Sequence, residues 1–191
     1  MIAGLILAAG ESRRMGSPKA LLPYRGESFL DGLVGLFAEF CDPVIVVLGS
    51  GADEIRAAAR RRATFVVNPD FRLGQTTSMQ CGLRAVPGGA LGVLFTLVDH
   101  PAVARETVAA LLAPPLPLVR VPRYRERRGH PILFSRALIS EFLALGPAGA
   151  ARDVVRRHAA ETEFLDLDDA GIIADIDDRE AYNALIDRSP G

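Results

Sequence analysis

Residues Ile2 to Ala8 form an unbroken apolar run that stops at a loop of small residues, Ala9-Gly10-Glu11-Ser12. A run this short, with no alternation of polar and apolar positions, reads as a strand buried on both faces, as in a parallel sheet covered by helices. Similar segments return at Pro43 to Leu48, Thr64 to Val67 and Gly92 to Val98. Between them lie helical patterns: Ser28 to Phe40, with Phe29, Leu33, Leu36, Phe37 and Phe40 on one face, then Asp53 to Arg62, Gln75 to Ala85 and Glu106 to Leu112. Buried strands alternating with helices predict a three-layer α/β fold with a mostly parallel sheet. Ligands in such sheets bind beyond the carboxyl ends of the strands, so the loops after Ala8, Val67 and Val98 should line one crevice.

The pattern changes after Pro114. Leu116 to Arg128 is rich in Pro and Arg and reads as an extended hairpin, with Ile132 to Phe134 as a returning strand. Leu138 to Leu145 and Ala150 to His158 read as helices, Thr162 to Leu167 as a strand and Asp178 to Ile186 as a last helix. The tail Ser189-Pro190-Gly191 is expected to fray.

The 191 residues suffice for one domain with a full core. A net charge of -1 gives no general pull towards nucleic acid or an anionic membrane, so an anionic ligand must be held by a local cluster of positive groups. The two cysteines, Cys41 and Cys81, are far apart and read as reduced core residues. The apolar amino terminus lacks a basic leader and is too short to span a bilayer. Together these features predict a cytoplasmic protein with neither membrane nor nucleic-acid partners.

Of 22 basic side chains only Lys19 is a lysine. A compact ammonium fits a tight phosphate site better than a guanidinium fork. Lys19 ends the segment Leu7-Ala8-Ala9-Gly10-Glu11-Ser12-Arg13-Arg14-Met15-Gly16-Ser17-Pro18-Lys19, directly after the first strand. Small residues there admit a close ligand, backbone amides can cradle phosphate oxygens, and Arg14 and Lys19 add positive charge. The segment is neither a Walker loop nor a dinucleotide fingerprint, which argues against an NAD-dependent oxidoreductase.

This segment resembles the signature of the MobA-like nucleotidyltransferases through Gly10, Ser12, Arg14, Met15, Gly16 and Lys19. The subgroup it is most similar to is the molybdenum cofactor cytidylyltransferases. The resemblance continues in Asn68-Pro69, Gly74 to Ser78, Asp99-His100-Pro101, Gly129-His130-Pro131 and Asp175-Ile176-Asp177. It implies a Rossmann-like nucleotide-binding fold, with residues 1–112 as the nucleotide half and 113–191 as the acceptor half. It also implies Mg²⁺-dependent transfer of a nucleoside monophosphate from an NTP, with CTP favoured, to an anionic acceptor such as molybdopterin, releasing pyrophosphate. Arg14 and Lys19 would grip the triphosphate. Leu7, Ala8, Ala9, Gly10, Asn68 and Ser78 would line the nucleotide pocket. Relatives that transfer guanylate usually carry glycine at the position of Ala9, so its methyl group favours a pyrimidine.

Asp99, just past a wholly apolar strand, would hold Mg²⁺ through oxygen. Asp177 is the expected second ligand and Asp175 a weaker candidate, although both could instead cap the last helix. Ser78 could contact the nucleotide or cap its helix. His100, Gly129 and His130 are candidate acceptor contacts, although a lone histidine such as His130 is more often structural. His158 reads as surface. Arg120, Arg123, Arg125, Arg127 and Arg128 crowd one segment, either for solubility or to recognise the acceptor. Pro147 stands where relatives carry an acidic residue, a departure that bears on the acceptor. A rival class is a protein that binds the finished cofactor and delivers it to a molybdoenzyme or its chaperone.

Overall fold

The computed structural model describes residues 1–146 and 149–188, so Pro147 and the Ser189–Gly191 tail lie outside the described residues. The apolar runs form strands β1 (Ile2–Ala8), β4 (Val44–Leu48), β5 (Thr64–Val67) and β6 (Gly92–Leu97). Between β1 and β4 come a two-stranded hairpin, β2 (Pro23–Tyr24) with β3 (Glu27–Ser28), and helix α1 (Phe29–Ala38). Helices α2 (Ala52–Ala58), α3 (Gln75–Arg84) and α4 (Arg105–Leu111) connect the later strands. The second half adds β7 (Val119–Tyr124), β8 (Arg127–Arg128), β9 (Ile132–Ser135), α5 (Ile139–Leu143), α6 (Ala151–Arg157), β10 (Thr162–Asp166) and α7 (Arg179–Asp187).

The main sheet runs β10-β7-β9-β6-β1-β4-β5, with β8 paired to β7. It is mostly parallel; β9 runs antiparallel to β6 and β7, and β8 antiparallel to β7. Alternate residues of the buried strands feed two cores. Ile6, Val46 and Leu94 pack with Phe29, Leu33, Phe37 and Val108 on one face. Leu5, Val47 and Phe95 pack with Met79, Leu83, Phe142 and Val154 on the other. This is why the runs lack alternation: both faces of every central strand are covered. From β1 the chain winds outwards to β4 and β5 on one side and returns to β6 on the other. The switch point, where a crevice must open, lies between β1 and β6.

Two local expectations are corrected. The helix expected over 53–62 ends at Ala58, because Asp31 takes over the next backbone amides. Its Oδ1 accepts from the N–H groups of Arg60, at 2.9 Å, and Arg61, at 3.1 Å. The β2–β3 hairpin was not foreseen; Arg25 and Gly26 turn it with positive φ of 50° and 83°.

Candidate active site

A cleft of about 440 Å³ opens at the switch point. Its walls include Leu7, Ala8, Ala9 and Gly10 from the end of β1, Arg14 and Lys19 from the following loop, and Asp99 from beyond β6. Ser78 of α3 and Asp177 from the approach to α7 complete it. The loop after β1 is held in shape locally. Met15 is buried at 2% exposure and donates its N–H to the Ser12 carbonyl at 2.9 Å, while the Ser12 hydroxyl accepts the Lys19 N–H at 3.0 Å. Gly49, at the end of β4, lets this loop close in: a Cβ there would lie 2.6 Å from the Ala9 carbonyl and 2.7 Å from Phe71.

At the centre, the Lys19 ammonium lies 3.5 Å from Asp99 Oδ2 and 2.5 Å from Asp177 Oδ1. Arg14 donates to Asp177 Oδ2 at 2.7 Å. Asp99, Asp175 and Asp177 each offer one carboxylate oxygen, and these oxygens lie within 4.8 Å of one another. An all-oxygen set of this kind suits a hard divalent cation such as Mg²⁺ or Mn²⁺. Asp178, not Asp175 or Asp177, caps α7: it accepts the Ala181 N–H at 2.9 Å, which leaves Asp177 to line the cleft.

Burial pushes the Asp99 carboxyl up, but the His100 hydrogen bond and the positive charge of His100 and Lys19 outweigh it and hold the pKa below its ordinary value. The Lys19 hydrogen bond likewise lowers Asp177, against a smaller opposing effect of burial. Asp175 is raised by burial and by its two carboxylate neighbours. Asp99 and Asp177 are thus held as ready anionic ligands, while Asp175 is the reluctant one.

Several expected site residues stand elsewhere. Asn68 does not line the cleft. It is buried, its amide donates to Thr77 Oγ1 and Ser78 Oγ, and its carbonyl accepts from the Asp70 N–H, so it braces the entry to α3. Ser78 is buried at 3% exposure and reaches the cleft wall while bonded to Asn68. Gly74 occupies the cap position of α3 and offers no side chain to its first amides, which leaves a helix amino terminus facing the cleft. His100, Gly129 and His130 do not line the cleft. His100 is 7% exposed, with Nδ1 2.9 Å from Asp99 Oδ1. Burial and the charge of His100 depress His130 to about 4, so its ring stays neutral, and its Nδ1 is buried without a hydrogen-bond partner.

One surface expectation is corrected. Arg120 is 5% exposed and is tied to the carbonyls of Leu111, Ala113 and Pro115 and to Glu163, so it serves the fold. His158 is clamped between Glu141, at 2.8 Å, and Glu161, at 3.0 Å. Other residues of the wall were not singled out by any motif: Phe71 and Ile55. Glu11 pairs with Arg72 at 3.2 Å, a contact between loops 61 residues apart that no local pattern reveals.

The sequence profile of the MobA-like NTP transferase domain matches residues 4–162. The chain belongs to that family. Family members similar to it over most of its length carry diverse names. A nicotine blue oxidoreductase of Paenarthrobacter nicotinovorans is 32% identical, covering 97% of this chain and 96% of its own. A molybdenum cofactor cytidylyltransferase of Escherichia coli is 27% identical, covering 91% and 89%. Among solved structures, Rv0371c of Mycobacterium tuberculosis, in complex with manganese, superposes with a TM-score of 0.84 at 30% identity over 98% of this chain and 99% of that one. The family and the mixed fold are therefore shared ground. No helix among the described residues is long and apolar enough to cross a membrane.

Proposed function

We propose that this protein transfers CMP from CTP to a phosphorylated acceptor, molybdopterin, and releases pyrophosphate. One observation carries the reading: Lys19, Asp99, Asp177 and Arg14 meet in a single cleft although they come from positions up to 163 residues apart. Such a site suits a triphosphate accompanied by a metal.

In this reading a phosphate oxygen of the acceptor attacks the α-phosphorus of the nucleotide in line. A new P–O bond forms, the bond to the β-phosphate oxygen breaks, and its electron pair leaves with pyrophosphate. The attacking oxygen is already ionised at neutral pH, so no general base is needed, and catalysis rests on positioning and charge. Arg14 and Lys19 bind the β- and γ-phosphates and oppose the charge that builds on the leaving group. Asp99 and Asp177, with Asp175 beside them, would hold Mg²⁺, which would supply positive charge against the charge developing on the phosphates. The amino terminus of α3 adds a dipole favourable to anions. The Ala9 methyl, on the cleft wall, narrows the space for a base and favours cytosine over guanine. Two unpaired cysteines fit a reducing compartment, the cytoplasm.

The test is to incubate the protein with Mg²⁺, molybdopterin and CTP, GTP, ATP or UTP and to measure pyrophosphate. Release that depends on both CTP and acceptor supports the reading. Tight cofactor binding without release from any nucleotide favours a delivery protein instead. The relative named a nicotine blue oxidoreductase motivates a third arm, oxidation of NADH in the presence of nicotine blue, which should be silent here because the glycine fingerprint for a dinucleotide is absent.

A further inference from the structure

Gly129-His130 lies outside the cleft, and its surroundings explain why it is there. His130 packs edge-on against Phe95 of β6, with ring centroids 5.6 Å apart, and its ring is hydrogen-bonded to the Phe95 backbone. The imidazole is therefore fixed to the strand that delivers Asp99. On its other side His130 touches the His100 ring, at a centroid distance of 4.8 Å. His100 is buried, and its Nδ1 lies 2.9 Å from Asp99 Oδ1. A carboxylate only accepts, so Nδ1 carries the proton and donates. That bond fixes one oxygen of Asp99 and leaves Oδ2 turned to the cleft, where Lys19 finds it.

The backbone of the same segment reaches the turn that precedes the other carboxylates. The His130 N–H donates to the Ile172 carbonyl at 2.9 Å, and Gly129 packs so closely that a Cβ there would lie 2.2 Å from that oxygen. Ile172 lies in the turn that leads into Asp175-Ile176-Asp177, and the Ile176 N–H donates to the Asp99 carbonyl at 2.9 Å.

We propose that Gly129-His130, acting through His100, is a positioning brace for the metal-holding carboxylates and not a contact to the acceptor. The inference rests on the metal-dependent reading above. It assigns His100 and His130 to metal affinity and chemistry, and removes them from acceptor recognition.

The test reads metal binding by itself. Mn²⁺ is titrated into the native protein and into His100→Leu, His100→Gln and His130→Leu without nucleotide or acceptor, and free Mn²⁺ is followed by electron paramagnetic resonance. Thermal melts check that each variant is folded. His100→Leu should weaken Mn²⁺ binding about tenfold, as loss of an outer-shell partner commonly does. His100→Gln, which keeps a donor for Asp99, should restore most of that loss, and His130→Leu should weaken binding about threefold. Native Mn²⁺ affinity in folded His100→Leu, with more molybdopterin needed for half-maximal pyrophosphate release, would overturn the brace in favour of an acceptor contact. So would a folded His100→Gln no better than His100→Leu, or a native protein that binds no Mn²⁺. Absence of pyrophosphate release alongside the expected Mn²⁺ pattern would sink the transferase reading and leave the brace standing.

Discussion

Charge is concentrated in two places, and the two are built differently. In the cleft, Lys19 and Arg14 pair with Asp99 and Asp177 on the wall of a cavity. On β7 and β8, five arginines crowd into nine residues, yet the innermost two are consumed by the fold. Arg120 is threaded into the end of α4 and the linker behind it. Arg123 forks onto Asp166 across the β7–β10 pair, with bonds of 2.8 and 2.7 Å, and lies over the Phe164 ring. Only the hairpin end, with Arg125, Arg127 and Arg128, stands in solvent. The denser cluster is thus the more structural one. Whether a charge serves a ligand depends on whether its partners are fixed backbone groups or other charges at the rim of a cavity.

Exchanging the roles of the two regions by mutation should separate activity from stability. Lys19→Ala or Asp99→Ala should each lower turnover by about 100-fold or more with the fold kept, checked by pyrophosphate release beside circular dichroism. Near-native turnover in both would erase the distinction. Arg120→Met should do the reverse. It strands buried carbonyls and should cost about 2–3 kcal/mol in urea denaturation, with turnover per folded molecule unchanged.

A third measurement compares the regions by pH. His130 has its folded pKa depressed to about 4, below the unfolded value of about 6.5. The unfolded chain therefore takes the proton first. The stability from the neutral ring is complete above pH 6.5 and drains away as pH falls towards 4. A loss of about 2 kcal/mol by pH 5 is expected, and His130→Leu should flatten that slope. An equally steep slope in the variant would place the acid sensitivity elsewhere. The smallest effect belongs to the hairpin end. Arg127→Ala should shift stability by less than about 0.5 kcal/mol and leave the CTP requirement unchanged.

Much of the first half of the chain was legible because its signals are local. A strand buried on both faces declares itself as an apolar run, and the signature from Leu7 to Lys19 follows it directly. Asp99 was legible as a polar residue closing such a run. What escaped was set by distant pairing. Nothing around Asp31 announces that it will end α2 by binding Arg60 and Arg61. Nothing in an arginine-rich segment marks Arg120 as buried. Asp177 and Asp178 are neighbours of one chemical type, and only the geometry of α7 decides which caps the helix and which faces the cleft. His100 and His130 followed a motif, but which way a motif faces is not written in its letters.

The ammonium between Asp99 and Asp177 has a final consequence for the resting protein. With Arg14, it makes the site its own counterion and offsets part of the repulsion among the carboxylates. A stray anion that drew Lys19 and Arg14 away by itself would leave those carboxylates facing each other uncompensated. A solute bringing negative oxygens and a cation together satisfies both sides at once, so the balance of charge in the cleft selects for it.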